Sequence, residues 1–468
     1  MEQNDPAAVR PDGCCRGRRR VFIWVGSILC FLGVLYVVVA ELWDARATKR
    51  YQAILAGIRA SGEPVTPDEM VAKYRPTSFT TNAASYYRAA GMILLPSQGG
   101  VDEMLRDALP FVGTGSTVEF NIPLTPETLR LAETYLERKQ TALDLITTAA
   151  DLETTVFDLD WSKDFEMPMP HCGELRLMAR TLRLKNAVDI ARDDRVNAIQ
   201  DVLRTFKLAS SLKHEPNLLS GLIRLTIFIS GIPEMERTFT FIQLSNAELR
   251  KIGDVIDSVA DQDYLRRAFV GERVMAIALF ERFDECPCRV REALQSTKRS
   301  DKWKVVLLAR VEGWRKDQQS EHLLMIQDMI DAAGKPPRQR LDRMKQVGKK
   351  CDEVCRHNLI TDRVTHACYA AAVRFVGLDQ SLLLAKAATC VEMYRNDNGK
   401  LPATLEELVP KYMEAVPEDF FWDGKIKYKQ DEPGYRLWSV GRNGKDDGGS
   451  TSNTTDHGTA DIVFRVGR

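Results

Sequence analysis

The chain has 468 residues, of which 44% are apolar and 28% are charged. A chain of this length holds about two or three domains, and its apolar content excludes wholesale disorder. The 65 basic and 65 acidic residues cancel. The net charge therefore offers no electrostatic reason to expect nucleic acid as a partner.

The first element in the chain is an apolar segment, VFIWVGSILCFLGVLYVVVA, at residues 21–40. It carries no charge, and as a helix it would span about 30 Å, the thickness of the hydrocarbon core of a bilayer. A cleaved signal peptide usually has a shorter apolar region, so we expect a retained transmembrane signal anchor. Arginines crowd its N-terminal side, which predicts a cytoplasmic tail at residues 1–20 and an extracytoplasmic remainder. They are Arg16, Arg18, Arg19 and Arg20.

This topology would place seven cysteines outside the cytoplasm, where disulfide bonds are permitted. Because seven is an odd number, at least one thiol stays free or pairs between chains. The seven are Cys172, Cys286, Cys288, Cys351, Cys355, Cys368 and Cys390.

Five side chains in the motifs CPC and CDEVCRH offer two alternatives. They have the chemistry of a tetrahedral zinc site, although C-x3-C on a helix is not the usual zinc spacing. The expected compartment instead favours a disulfide that joins the 286–288 turn to the 351–355 helix. The five are Cys286, Cys288, Cys351, Cys355 and His357.

Residues 41–395 show a helical pattern almost throughout, and we expect them to form one α-helical extracytoplasmic domain. Apolar residues in 197–214 and in 247–262 recur every three or four positions, as on one face of a helix. Ser245 suits the cap of the second helix. Helices joined by short breaks indicate a bundle or an irregular helical array.

The character of the chain changes at residues 396–468, after a last long helix predicted at 381–395. Thr404 and Glu407 have the spacing of a capping box, which predicts a short helix that Pro417 stops. Alternating runs then predict strands at 425–430, 435–440 and 461–466, the first two joined by the four-residue turn DEPG. The predicted fold class is therefore mainly α, with a small C-terminal helix-plus-antiparallel-β module.

An acidic, glycine-rich loop separates the last two predicted strands. Calcium prefers six to eight oxygen ligands, and glycine lets the backbone curve around an ion. Asn443, Asp446, Asp447, Asp456 and Asp461 offer such oxygens, so we predict a calcium site there. The alternative is a solvated loop, because Asp, Asn and Gly are also common turn formers.

The tail resembles the C-terminal part of the major pseudopilin of type II secretion systems. That resemblance implies a calcium loop held by three aspartates; two of those positions carry Asn443 and Thr459 here, and Asp461 is kept. The pilin N-terminal signature G-F-T-L-I-E is missing, so the chain does not resemble a pilin subunit as a whole. The matching residues are Ser439, Gly441, Asn443, Gly444, Gly448, Gly449, Thr459, Ala460, Asp461 and Ile462.

The whole extracytoplasmic region also resembles a family of uncharacterised bacterial signal-anchored proteins. The resemblance rests on GERVMAIALFERF at residues 271–283 and on the tail that begins GKLPATLEEL at residue 399. It implies an inner (cytoplasmic) membrane protein of the bacterial cell envelope, but it implies no known activity.

The candidate catalytic residues are few. His171, Cys172 and Glu174 stand in HCGE, but a Cys/His pair needs side-chain contact and an orienting group, which adjacency does not supply. Glu272, Glu281 and Glu285 are expected on a solvated helix face. No nucleophile elbow, P-loop, H-E-x-x-H or G-x-G-x-x-G motif stands in a suitable context.

We therefore expect a membrane-anchored extracytoplasmic scaffold or binding protein, with an envelope protein as its partner. The alternative is an extracytoplasmic hydrolase or metalloenzyme that uses the Cys/His pair or the acidic cluster. Convergence of these side chains in one deep pocket would favour the enzyme.

Overall fold

A computed structural model describes residues 14–76, 81–95, 100–113, 115, 119–285, 311–355, 361–450 and 461–468. The chain divides into two compact units. The first unit comprises Met1–Gly57 and Arg282–Glu321, and the second comprises Ile58–Glu281 and His322–Arg468. Three helices cross the boundaries in sequence, namely α1 (Cys14–Ala60), α11 (Tyr264–Glu285) and α12 (Glu312–Ala333).

The apolar run of the first unit lies in helix α1, which confirms that residues 21–40 are helical. Its most apolar stretch has no buried residue. Beyond that stretch, polar contacts join α1 to the start of α12. Trp43 Nε1 donates to Asp317 at 2.7 Å, and Arg50 donates to Glu321 at 2.5 Å. In the first unit, polar contacts and the buried side chains of Ala47, Tyr51 and Leu55 thus follow an uncovered apolar stretch of the same helix.

Most of the described helices lie in the second unit, where the buried apolar side chains form one large cluster and smaller ones beside it. The further helices are α2 (Pro67–Tyr74), α3 (Ala84–Leu94), α4 (Val101–Ala108), α5 (Pro126–Arg138), α6 (Gln140–Ala150), α7 (Pro170–Ala191), α8 (Arg195–Ser210), α9 (Leu218–Phe241), α10 (Asn246–Val259), α13 (Pro337–Cys355) and α14 (Thr361–Asn398). Helices α7, α8 and α9 pack on one another, and α14 packs on α9, α10 and α13.

Local sequence signals explain where several of these helices begin. Asn217 accepts the N–H of Ser220 at the start of α9. Ser245 and Glu248 form a complete capping box at the start of α10, which satisfies two otherwise unpaired donors. The predictions at 197–214 and 247–262 are thereby confirmed as α8 and α10, each ending a few residues early.

Within the described part of the chain, three helical segments are long and apolar enough to cross a membrane: Ser27–Ala60, Leu218–Phe241 and Cys368–Asn398. The two later segments differ from the first, because 61% of the most apolar stretch of each is buried in the fold. A helix that is apolar all round is buried either in a protein core or in lipid. Here α9 and the second part of α14 lie in a protein core.

The tail forms the predicted three-stranded antiparallel sheet. Its strands are β1 (Lys427–Asp431), β2 (Gly434–Ser439) and β3 (Ile462–Val466), in the order β1-β2-β3. Asp431 pairs with Gly434, so the first hairpin closes through two residues, a tighter turn than predicted.

The predicted capping box at Thr404 is wrong. Thr404 makes no side-chain cap hydrogen bond, and the short helix is a single 3-10 turn at Leu405–Leu408. Glu407 instead accepts the N–H of Ala403 and the hydroxyl of Tyr394. The turn ends well before Pro417, because Pro410 already follows Val409 and cannot continue a helix.

The sheet packs against helices of the same unit. Strand β3 contacts α9 and α14, and Glu236 of α9 accepts the N–H of Arg465 at 2.8 Å. Thr240, one turn further along α9, accepts the N–H of Gly467 at 3.0 Å. The sheet is thus fastened to the helical core, and the separate domain proposed at 396–468 stays a prediction.

Candidate functional site

A buried polar cluster, which we call the His171 cluster, lies where α7 and α9 begin. It comprises His171, Cys172, Glu215, Ser220 and Glu272, all less than 9% exposed. His171 follows Pro170, which opens α7, and its Nε2 lies 3.0 Å from the Glu215 carboxylate. The cluster therefore places an acid beside the histidine of HCGE.

The thiol of Cys172 touches this pair, since its Sγ lies 3.7 Å from His171 Nε2. His171 and Cys172 of HCGE are thus in side-chain contact, which their adjacency in sequence alone did not imply. Glu215, 44 residues away from His171 in sequence, is an additional partner. Burial, followed by the negative charge of Glu215, raises the pKa of the Cys172 thiol to about 12. A thiol with that pKa is protonated at neutral pH and is a poor nucleophile.

The rest of the His171 cluster satisfies backbone and side-chain groups. Ser220 donates its hydroxyl to Glu215, and Tyr264 donates to the Glu215 carbonyl at 2.8 Å. Glu272 of α11 accepts the N–H of Leu218, the first residue of α9, at 2.9 Å. The cluster therefore ties the start of α9 to α7 and α11.

The expectation that Glu272 lies on a solvated face is wrong. Its side chain is 7% exposed, and burial raises its pKa to about 7 although the Leu218 N–H opposes that shift. Glu281 and Glu285, further along α11, are exposed as expected. Glu272 is buried because it contacts the start of α9. The spacing of apolar residues along α11 cannot reveal that contact.

A narrow cleft reaches the His171 cluster at Glu215. Tyr74, Phe157, Trp161 and Glu215 are among its lining residues, and its volume is about 20 Å³. That is room for about one water molecule, whereas ligand pockets are typically about 300 Å³ or more. Phe157 also stacks on the His171 ring at 4.3 Å. The cluster is thus a buried hydrogen-bond network that links the starts of α7 and α9 to α11.

The described part of the acidic loop lies beside the sheet, and its carboxylates accept hydrogen bonds from groups of the protein. Asp461 accepts N–H groups of Asp447 at 3.1 Å and of Gly449 at 2.7 Å. Asp446 accepts the indole N–H of Trp438 at 2.9 Å and pairs with Lys427 at 2.9 Å. The Trp438 and Lys427 contacts lower the pKa of Asp446.

These contacts bear on the predicted calcium site. Asn443 donates its amide to Asp447 at 3.1 Å, and Asp456 lies outside the described residues. Burial is the main cause of the raised pKa of Asp461, and the charges of Asp447 and Asp446 add to it. The oxygen donors suit calcium. A bound ion would have to compete with Trp438, Lys427 and backbone donors.

Across the described ranges, no group of three or more His, Cys, Asp or Glu side chains is arranged to hold a metal ion. The calcium site at Asn443, Asp446, Asp447, Asp456 and Asp461 remains a prediction. The proposed zinc site and disulfide also remain open, because Cys286, Cys288 and His357 lie outside the described residues. Of Cys355, only the helical backbone is described.

An open groove, which we call the α13–α14 groove, lies between these two helices and the tail. Its volume is about 300 Å³. Arg338 and Lys345 of α13 and Arg442 of the turn after β2 line it, together with Tyr369, Phe420 and Phe421. Sequence reasoning missed the groove because its residues come from distant segments without a shared motif.

No protein-family model matches the chain, and neither a curated protein nor a solved structure is significantly similar to it. The resemblances to pseudopilins and to bacterial signal-anchored proteins therefore stay hypotheses.

Proposed function

We propose that the chain is a single-pass membrane protein whose helical body is a scaffold or binding surface on the extracytoplasmic side. The exposed apolar part of α1 carries this proposal. Its described large apolar side chains between Trp24 and Val39 are 46–71% exposed. Soluble monomers rarely expose contiguous apolar patches beyond a few hundred Å², so this helix is suited to lipid.

The arginine cluster before the apolar run supports the orientation. Arg16, Arg18, Arg19 and Arg20 precede the run, and basic residues are retained on the cytoplasmic side. The N-terminus would then lie in the cytoplasm and the body outside it, anchored in a bacterial inner membrane. An envelope protein is the proposed partner of the body.

A direct experiment is a reporter fused after residue 468. Alkaline phosphatase in that position is expected to be active, whereas green fluorescent protein is expected to be dark, because the fusion point lies outside the cytoplasm. The chain should also stay in the membrane pellet after alkaline carbonate washing. A fluorescent C-terminal fusion in the membrane would overturn the orientation.

The matched control lacks residues 21–40 and keeps the arginines. Its phosphatase fusion should be inactive, since no segment is left at the N-terminus to export the body. A control that is still exported would show that the apolar run is not the anchor.

The contact between His171 and Cys172 favours a second candidate, an extracytoplasmic hydrolase. The raised pKa of Cys172 and the volume of about 20 Å³ weigh against it. Treatment of the folded protein with iodoacetamide at neutral pH distinguishes a hydrolase that uses Cys172 from a scaffold. We expect Cys172 to be alkylated only after unfolding; rapid alkylation of the native protein would indicate a reactive thiolate.

A further inference from the structure

The α13–α14 groove carries an uneven distribution of charge. Arg338, Lys345 and Arg442 are the basic residues of its lining, and Asp342 is the acidic one. Arg338 pairs with Asp423 at 2.9 Å, and Lys345 lies 3.9 Å from Asp342. Arg442 is exposed. When both carboxylates are counted, the three cations leave a net excess of one positive charge, and the exposed Arg442 presents it to solvent.

Part of the groove lining is apolar. Leu341 and Val373 are each 6% exposed, and Tyr369, Phe420 and Phe421 pack against the cluster that contains them. Buried aliphatic side chains thus hold three aromatic rings in the lining of the groove. Binding sites commonly combine apolar side chains with a few convergent polar groups.

The size of the groove restricts what can occupy it. Its volume of about 300 Å³ is at the lower limit of ligand pockets, so it accommodates one or two side chains of an extended segment. A diacyl lipid would need much more apolar space. Basic side chains around a groove are a recurrent means of recognising acidic motifs, and apolar anchors supply most of the binding energy at such sites.

We propose that the α13–α14 groove binds an acidic peptide segment of a partner protein, with one aromatic or aliphatic side chain of that segment seated on Phe420 and Phe421. Lys345 of α13 and Arg442 of the turn after β2 contact the acidic residues on either side of the seated side chain. This inference names a partner class for the binding surface proposed above, and it does not depend on the orientation of the anchor.

The test uses the full chain in nanodiscs of zwitterionic lipid and fluorescent pentapeptides. The probe has a central phenylalanine flanked by two acidic residues on each side; one comparison peptide has lysines in place of the acids, and another has alanine at the centre. We expect binding of the acidic phenylalanine peptide, and weaker binding of both others. High salt should weaken binding, because it screens exposed charges.

A charge-reversed variant provides the decisive comparison. The double substitution K345E and R442E should weaken binding of the acidic peptide by about tenfold or more, and it should strengthen binding of the lysine peptide. K445E is the matched control. Lys445 is exposed in the same turn and does not line the groove, so its reversal should leave the affinity nearly unchanged.

Any one of three results would overturn the proposal. In the first, the double variant binds the acidic peptide as tightly as the parent does. In the second, the parent binds the lysine peptide as tightly as the acidic peptide, and in the third it binds anionic vesicles but none of the peptides. If the variants keep the melting temperature of the parent, a loss of binding is not caused by unfolding. A failed peptide test leaves the reporter experiment unaffected, so the two proposals can fail separately.

Discussion

Asp419 is a carboxylate with no solvent exposure that organises the turn before β1. It accepts the hydroxyl of Ser439 at 2.7 Å and the N–H groups of Val440 at 3.0 Å and Phe421 at 2.8 Å. One side chain thereby joins the end of β2 to the segment that carries Phe420 and Phe421, two aromatic residues that line the α13–α14 groove. Each buried donor left without a partner costs about 1–3 kcal/mol.

Replacement of Asp419 by alanine should therefore lower the free energy of unfolding by about 3 kcal/mol or more. Urea denaturation of the purified protein measures this change. Glu414, an exposed carboxylate in the same segment, is the control, and Glu414→Ala should change stability by less than about 0.5 kcal/mol. Equal effects of the two substitutions would contradict the role given to Asp419.

Glu272 is predicted to make stability depend on pH. The pKa of Glu272 is raised to about 7 in the folded state. Its protonated form therefore stabilises the folded state fully below the ordinary glutamate pKa, and this stabilisation is lost as pH rises through about 7. Glu272→Gln keeps an acceptor for Leu218 but cannot ionise. The variant should therefore gain stability relative to the parent between pH 5 and pH 8, by up to roughly 3 kcal/mol.

Urea denaturation across this pH range checks the sign. Glu281→Gln, an exposed change on the same helix, should show a difference from the parent that does not vary with pH. A constant difference for Glu272→Gln as well would mean that the buried carboxyl does not titrate as described.

At the scale of elements, side chains of β1 and β2 hold the acidic loop next to the sheet. Trp438 of β2 and Lys427 of β1 contact Asp446, while Asp461 precedes β3 and accepts loop N–H groups. The described part of the loop, at 441–450 and 461, is therefore held by hydrogen bonds and an ion pair of the protein itself. An ion bound there would stabilise the folded state alone.

Millimolar calcium is predicted to raise the melting temperature of the protein, and a chelator should reverse the effect. Asp447→Asn, which removes an exposed carboxylate of the loop, should reduce the calcium-dependent shift. Glu414→Gln should leave it intact. Superimposable melting curves with calcium and with chelator would refute the calcium site.

At the scale of the whole molecule, the two compact units differ in what covers their apolar side chains. The second unit buries its apolar helices within its own core, including most of the apolar stretch of α9. In the first unit the apolar stretch of α1 has no buried residue. The apolar stretch thus contributes nothing to a protein core and should be dispensable for folding of the body.

A chain that begins at residue 41 is accordingly predicted to stay in aqueous solution without detergent. It should keep the helical circular dichroism of the full chain and melt cooperatively at nearly the same temperature. Aggregation, or loss of the cooperative transition, would show that residues 21–40 pack against the folded body.

Local patterns in the amino-acid sequence were sufficient for several features. The uncharged run at 21–40, the helical spacing in α8 and α10 and the alternation in β1, β2 and β3 all depend on neighbours within a few residues. Such signals follow from the repeats of about 3.6 and 2 residues in helices and strands. They also sufficed for the fold class, which is mainly α with a small antiparallel sheet.

Tertiary structure alone decided how distant residues combine. Glu215 contacts His171, Glu272 is buried beneath the start of α9, and Asp419 accepts a hydrogen bond from Ser439 of β2. The same holds for the α13–α14 groove, whose cations come from positions about 100 residues apart. Burial and pairing of this kind depend on which helices pack together, and that choice is made by the sum of many long-range contacts rather than by any local pattern.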